Sequence, residues 1–520
     1  MHRYYKQDLT KKFLVAWYKN IYTLPDTDDH TAESIESGLT ANSDTYFADF
    51  LNTCYIVNGV NGVFKYNDNG FGPVGITKPA APEVSKIGSG SSLGEGSYKF
   101  CYTYIDDDGY ESNPSDVSNS VTITATKEKV TVPLSGTTYR KNVYRTSVNG
   151  AIYYKDNIIE IIPKGTTSYE STRADNTLGN EVKYNHDAPE GTSHLITKRR
   201  EKLYLAYNDY LYPSYTSDVE YFPPLWRLRT GNSQNIMGLL EQLTALPVMT
   251  DDSIERLVGT DEDNFEFRNS YSTEGCIATR SLVNCDNLLI YLGFNGINYF
   301  DGVNSGIFSQ ALNEYIKENI VASKASLSCA TYWNNKYILC YPKKGEIYPT
   351  ETIWYDLKNK TYGIYSYAFS CFSKWDRGDD GLRLFGGSNT IGRVYELTGL
   401  TDYNESTGAD DAITAYDSPE PIDLGLPEIY KQWYSIFVKV KTTTGTAFHF
   451  DYKLDNAADW TRVNKTLTED TTKWYRISLG GGGKRARALK PRPYMSDKFN
   501  FEIHGYIICY DFEIFAEEKE

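Results

Sequence analysis

The chain has 520 residues with 53 basic and 68 acidic side chains, a net charge of −15. At ~100–200 residues per domain that length implies two to four domains, and the acidic excess excludes a surface that grips nucleic acid as a whole. No apolar run approaches the ~18 residues of a membrane helix, and Phe13–Trp17, the longest near the N-terminus, is too short for a signal-peptide core, so neither ordinary secretion nor membrane integration is expected.

Aromatic content sets the fold class. There are 45 Tyr, 22 Phe and 8 Trp against 4 Met, and aromatic side chains fit pleated, half-buried surfaces. An all-β chain is expected. Residues 1–44 lack any repeat and read as an N-terminal extension. Residues 45–78 hold the first clear hairpin, Tyr55-Ile56-Val57-Asn58-Gly59-Val60-Asn61-Gly62-Val63-Phe64-Lys65-Tyr66, whose Asn-Gly dipeptides suit type I′ turns. A Pro-rich exit follows at Gly75–Pro82, then a Gly/Ser stretch at Gly88–Ser97. Aromatics alternate at Tyr98, Phe100, Tyr102 and Tyr104, Asp106–Gly109 is a turn, and Val121–Thr124 and Asn142–Arg145 read as strands. Residues 79–187 are thus expected to form a fibronectin- or immunoglobulin-like sandwich.

From 188 to 410 a hairpin unit recurs, clearest at Leu289–Gly302. Tyr204, Ile254, Leu289, Tyr337 and Leu384 mark steps of 50, 35, 48 and 47 residues, close to the ~40–50 residues of a four-stranded propeller blade. A six- to seven-bladed β-propeller is expected, interrupted by the sandwich. Only Phe308–Ile320 reads as helical, with Leu312, Tyr315, Ile316 and Ile320 on one face. Residues 411–520 predict a C-terminal β-sandwich, with Tyr434, Ile436, Val438 and Val440 alternating, then Phe448, Phe450 and Tyr452, and a last strand pair at Phe499–Phe515.

Motifs that carry chemistry are few. The eight cysteines show no C-x-x-C pair and read as free, buried thiols. Gly90-Ser91-Ser92-Leu93-Gly94 fits the nucleophile-elbow pattern, but it precedes a strand instead of opening a helix, so a loop is expected. His186 and His194 flank a turn, and no histidine pair has metal-ligand spacing. The acidic turns Asp26–Asp29, Asp106–Asp108 and Asp261–Asn264 lack the calcium-loop pattern. No catalytic residue, metal or cofactor is expected. The one basic cluster contains Lys484, Arg485, Arg487, Lys490 and Arg492, after four glycines. Two readings stay open for it: an arm that grips phosphate or an acidic neighbouring subunit, or a solvated hairpin loop.

Several stretches resemble the β-propeller tail and neck proteins of tailed bacteriophages, the group of phage stabilisation and tubular tail or nozzle proteins. Tyr102–Asp108 followed by Gly109-Tyr110-Glu111-Ser112-Asn113-Pro114-Ser115 is similar to their inserted-domain signature, and Val143-Tyr144-Arg145-Thr146 to a recurrent strand. Lys198–Ala206 with Ser217–Pro223, Ser253–Gly259, Gly275–Ala278 and Gly296–Gly302 resemble successive blades. The likeness covers about residues 45–400. It implies a non-enzymatic virion protein, made in the host cytoplasm, that forms a homo-oligomeric, hexameric ring or tube below the portal. Such a ring extends the DNA channel, retains the genome without sequence-specific binding, and contacts the portal or head–tail adaptor, other tail proteins and fibres. A tail adhesin that contacts host-surface glycan is the first alternative, and a propeller hydrolase acting on polysaccharide, against which the missing motifs argue, is the second.

Overall fold

A computed structural model describes all residues except 25–30, 190, 244, 260–263, 271, 377–380, 398–401, 405–408, 443–446, 468–470, 497–500 and 513–520. The chain is all-β, built of many small antiparallel sheets. It divides into two units, Met1–Glu396 and Leu397–Glu520.

Seven sheets of the first unit share one plan: consecutive strands joined by hairpins. The first sheet holds His2–Tyr5, Lys11–Trp17, Asn20–Leu24 and Glu33–Glu36, and the second Tyr46–Phe50, Thr53–Val57, Phe64–Asn67 and Gly70–Pro73. The third opens with Leu195–Arg199, the fourth with Gly238–Leu239, the fifth with Val283–Cys285, the sixth with Cys329–Trp333 and the seventh with Cys371–Asp376. Opening strands of neighbouring sheets pack side by side from the first to the fourth and from the fifth to the seventh, and the seventh packs back on the first. Met249 and Ile254 join Leu289, Tyr291 and Phe300 in one apolar cluster, which links the fourth sheet to the fifth.

Return to the first sheet is sealed by aromatic packing. Phe13 is fully buried and stacks on Trp375 at 4.7 Å between ring centroids, with Phe385 at 5.6 Å. The segment 1–44, expected as an extension, therefore carries a sheet of the series. Its hairpins lack the Asn-Gly cue because Leu9 and Tyr18 occupy the positive-φ turn positions (69° and 55°). Near the opening strands, Arg280 reaches Asp44 at 3.3 Å and donates to the Ser370 carbonyl at 3.1 Å, tying together turns from three parts of the series.

Between the second and third sheets the chain leaves for an inserted module. Its strands, Ser85–Ser89 to Ser168–Ser171, form three small sheets around one core that includes Tyr98, Phe100, Tyr102, Val130, Val132 and Val143. The chain enters and leaves through a narrow neck. A Cβ on Gly75 (φ 79°) would lie 2.4 Å from the Cβ of Ala188, so only glycine lets the two crossing segments meet. The expected helix is present at Gln310–Asn319, capped by the Ser309 side chain, with Leu312 and Ile316 buried.

In the second unit one four-stranded sheet (Ala415–Tyr416, Leu489–Met495, Ala447–Leu454, Thr461–Thr466) shares a core with a second one (Lys473–Ser478, Lys431–Thr442, Lys484–Ala486, Phe501–Phe512). Ile436, Val438 and Val440 point inward as their alternation predicts. Tyr434 does not. The register shifts between Trp433 and Ser435, so Trp433 takes the core position and its indole donates to the Ala486 carbonyl at 3.1 Å.

Candidate functional site

Four of the five basic residues of the cluster lie on paired strands of the second unit and the fifth in the turn between them, not on a free arm. Lys484 and Arg485 belong to Lys484–Ala486, which pairs with Lys431–Trp433, and Arg487 follows in the turn. The guanidinium carbons of Arg485 and Arg487 lie 3.9 and 4.8 Å from the ring centroid of Tyr430. Lys490 and Arg492 belong to the next strand, Leu489–Met495, where they meet partners that sequence did not connect with them.

Strand alternation sorts these partners into an inner and an outer set. Phe448, Phe450 and Tyr452 enter the core, so His449, Asp451 and Lys453 face outward; buried Leu489 and Met495 likewise turn Lys490, Arg492 and Tyr494 outward. Register then builds three rows across the sheet. Tyr416 pairs with Tyr494, and Tyr494 with His449; Arg492 and Arg462 both pair with Asp451; Lys490 pairs with Lys453.

Asp451 holds the middle row together. Its side chain is 1% exposed and accepts from Arg462 Nε (2.8 Å) and Nη2 (3.0 Å) and from Arg492 Nη2 (2.5 Å) and Nε (3.2 Å). Burial pushes its carboxyl upward, but the two guanidiniums outweigh burial and hold it below the usual range. Aromatic rings fix the cations further: Arg492 lies 4.0 Å from the ring centroid of Trp460, Arg462 lies 4.6 Å from that of Tyr494, and Lys453 lies 5.0 Å from that of Trp460. The result is a face with four cations, one anion and a row of rings, three of the cations held by partners.

The first unit contains a second charged assembly, of which sequence reading singled out only the Asp106–Asp108 turn and missed Lys65 and Glu220. Lys65 of the second sheet lies 2.6 Å from Asp106, 2.7 Å from Asp108 and 2.8 Å from Glu220. The aspartates come from the inserted module and Glu220 from the third sheet's long loop, so one ammonium moors three parts of the fold. Tyr55 donates to Glu220 at 3.3 Å, and the Tyr110 ring lies 5.0 Å from the ammonium. Burial pushes the Glu220 carboxyl up to about 7, against the pull of Lys65 and with the help of the two aspartates. Burial opposes the Lys65 charge, but the carboxylates win and hold it protonated beyond its ordinary range. These acids can surround a cation, and the Lys65 ammonium fills that role.

The remaining candidates are structural. His186 is stacked on Tyr221 at 4.1 Å and His194 bonds the Ile236 carbonyl at 2.7 Å; burial lowers both pKa values. Ser92 lies in an exposed loop followed by strand Gly96–Tyr98. His2, Asp49 and Cys54 converge, and burial pushes the Cys54 thiol well up. All eight cysteines are free; six are buried, while Cys371 and Cys509 are half-buried. The acidic turns at 26–29 and 261–263 lie outside the described residues.

No protein-family model and no curated protein matches this chain. Among solved structures it is similar to the computationally designed Ika8 protein (8% identity, TM-score 0.33, covering 74% of this chain and 94% of that one). It is also similar to an exo-beta-1,3-galactanase from Phanerochaete chrysosporium with galactose (9% identity, TM-score 0.20, 91% and 97% covered). TM-scores this low assign neither a fold nor an activity to the chain.

Proposed function

We propose that this protein is a structural, non-enzymatic subunit of the neck or tail of a tailed bacteriophage, and that its seven-sheet series is a seven-bladed β-propeller with an inserted sandwich. The observation that carries the reading is the mooring of the insert: a close crossing of Gly75 and Ala188 and a buried ammonium shared by three parts of the fold hold a lateral module in a fixed pose. A rigid projecting module suits a subunit that sets the geometry of a ring. The insert also exposes a run of isoleucines, Ile158, Ile159 and Ile161 (40%, 82% and 37%), in the manner of surface awaiting a neighbour.

In this reading the subunits form a homo-oligomeric ring, hexameric in the family resembled, beside a portal or adaptor and other tail proteins. The DNA path is, in this reading, the lumen that the ring of copies encloses. Electron microscopy of particles assembled without the gene product tests the proposal. Tailless or emptied heads are expected. Filled, tailed particles that fail to adsorb would overturn it in favour of a receptor-binding adhesin.

A further inference from the structure

We infer that the outward face of the second unit's sheet binds single-stranded nucleic acid, with bases over the Tyr416–Tyr494–His449 row and phosphates along the rows of Arg462, Arg492, Lys453 and Lys490. This does not rest on the phage reading, because it follows from one sheet alone.

Three features of the face point to such a ligand. The rows are sorted by chemistry: rings, then guanidiniums, then ammoniums. Outward residues two apart on a strand stand about 6.8 Å from each other, so about 14 Å separates the ring row from the ammonium row, room for a base and its backbone. Four-stranded antiparallel sheets with exposed rings beside cations are the common platform for unpaired bases. Tyr416, 60% exposed, stands at the edge of the face with the Arg492 guanidinium 5.7 Å from its ring centroid.

The second feature is a tolerated repulsion. Lys453 and Lys490 stand directly opposite each other across neighbouring strands, a pairing that costs stability unless an anion lies between them. Lys453 reaches the Ala458 carbonyl at 2.5 Å, while Lys490 has no ion pair among the described residues. The third is preorganisation. Asp451 holds both guanidiniums, so their positions are fixed before any ligand arrives and little side-chain entropy is lost on binding. A single strand fits better than a duplex, because only a single strand leaves base faces free for the ring row.

The probe is a fluorescein-labelled oligothymidylate of about 12 nucleotides, within the ~4–16 that one small β-domain covers, titrated with the full chain by anisotropy. Four cation contacts predict a slope of log affinity on log salt near −2.8, at ~0.7 per contact. Replacing Lys453 and Lys490 together by Ala removes two contacts and should weaken binding roughly 60-fold at ~50 mM salt, whereas the double Lys→Arg variant retains it. Tyr416→Ala should weaken binding roughly fivefold or more without changing the salt slope. Absence of binding at low salt, unchanged affinity in the Ala variants, or tighter binding of heparin or of a duplex than of the oligonucleotide would each overturn the inference, and tighter heparin would redirect it to an anionic glycan.

Discussion

Replacing Lys65 by Met tests whether the buried ammonium moors the inserted module. In the native chain Lys65 is 8% exposed and Glu220 1%, and Asp106 and Asp108 are each 15% exposed, so solvent screens the group weakly. Removing the ammonium leaves three carboxylates whose oxygens lie within 4.8 Å of one another. Two unit charges at ~4 Å repel by ~4 kcal/mol at an effective dielectric of about 20. Proton uptake relieves part of this, and loss of one partner from a buried ion pair costs about 3–5 kcal/mol. Lys65→Met should therefore lower the stability of the first unit by about that amount at pH 7.5, and by less at pH 5, where the carboxylates can protonate. Urea unfolding followed by tryptophan fluorescence measures the loss. Limited proteolysis adds a local readout, because a loosened module exposes the connecting segments at 76–84 and 185–189. A loss below ~1 kcal/mol with unchanged cleavage would refute the mooring and class the contacts with ordinary surface pairs.

Glu220→Gln isolates one member of that cluster through its pH dependence. Burial raises Glu220 from 4.5 to about 7, so its protonated form is favoured in the fold; its contribution is full below pH 4.5 and is lost as pH rises through 7. Relative to the Gln variant, the wild type should lose about 3 kcal/mol between pH 4.5 and 7, read as the difference between two urea titration series. Parallel pH profiles would place Glu220 in solvent. Phe13→Ala removes the stacked ring between the first and seventh sheets and should cost about 3–5 kcal/mol, with faster amide exchange in His2–Leu24 than elsewhere in the unit. Asp451→Ala strips two guanidiniums of their shared carboxylate and should cost the second unit about 3 kcal/mol, leaving the first unit's unfolding transition in place.

Local chemistry was legible in the sequence wherever one strand carried the whole signal. The alternation of Tyr98, Phe100 and Tyr102 matches a single core, and Asn295-Gly296 turns a hairpin with Gly296 at φ 110°. The first sheet was illegible because Leu9 and Tyr18 do the work that Asn or Gly usually does in such turns. The bulge at Trp433 hid which of two adjacent aromatics enters the core, since alternation presumes an unbroken register. Long-range charge was harder still. Lys65 and Glu220 are 155 residues apart, and nothing near either one announces the other. The basic cluster was visible as composition, but Asp451, Trp460 and Arg462 sit on another hairpin, so its arrangement as rows required the register.

The two charged assemblies are solutions to one problem with opposite signs, and their difference locates the binding surface. Lys65 is outnumbered by three carboxylates, yet burial raises Glu220 to about 7, so that cluster can shed excess charge by holding a proton. Holding that proton leaves two aspartates against one ammonium, and the three modules around them keep all four side chains at 15% exposure or less. Asp451 is outnumbered by two guanidiniums, and arginine cannot shed its proton in a protein. The excess positive charge therefore persists, at side chains 44% and 21% exposed, beside two further lysines. An inward cluster that sheds part of its excess charge is a fastener, whereas an outward cluster that cannot do so attracts an anion. On a chain of net charge −15, retaining that outward face at the cost of a Lys–Lys pair favours a partner for it over an accident of surface composition.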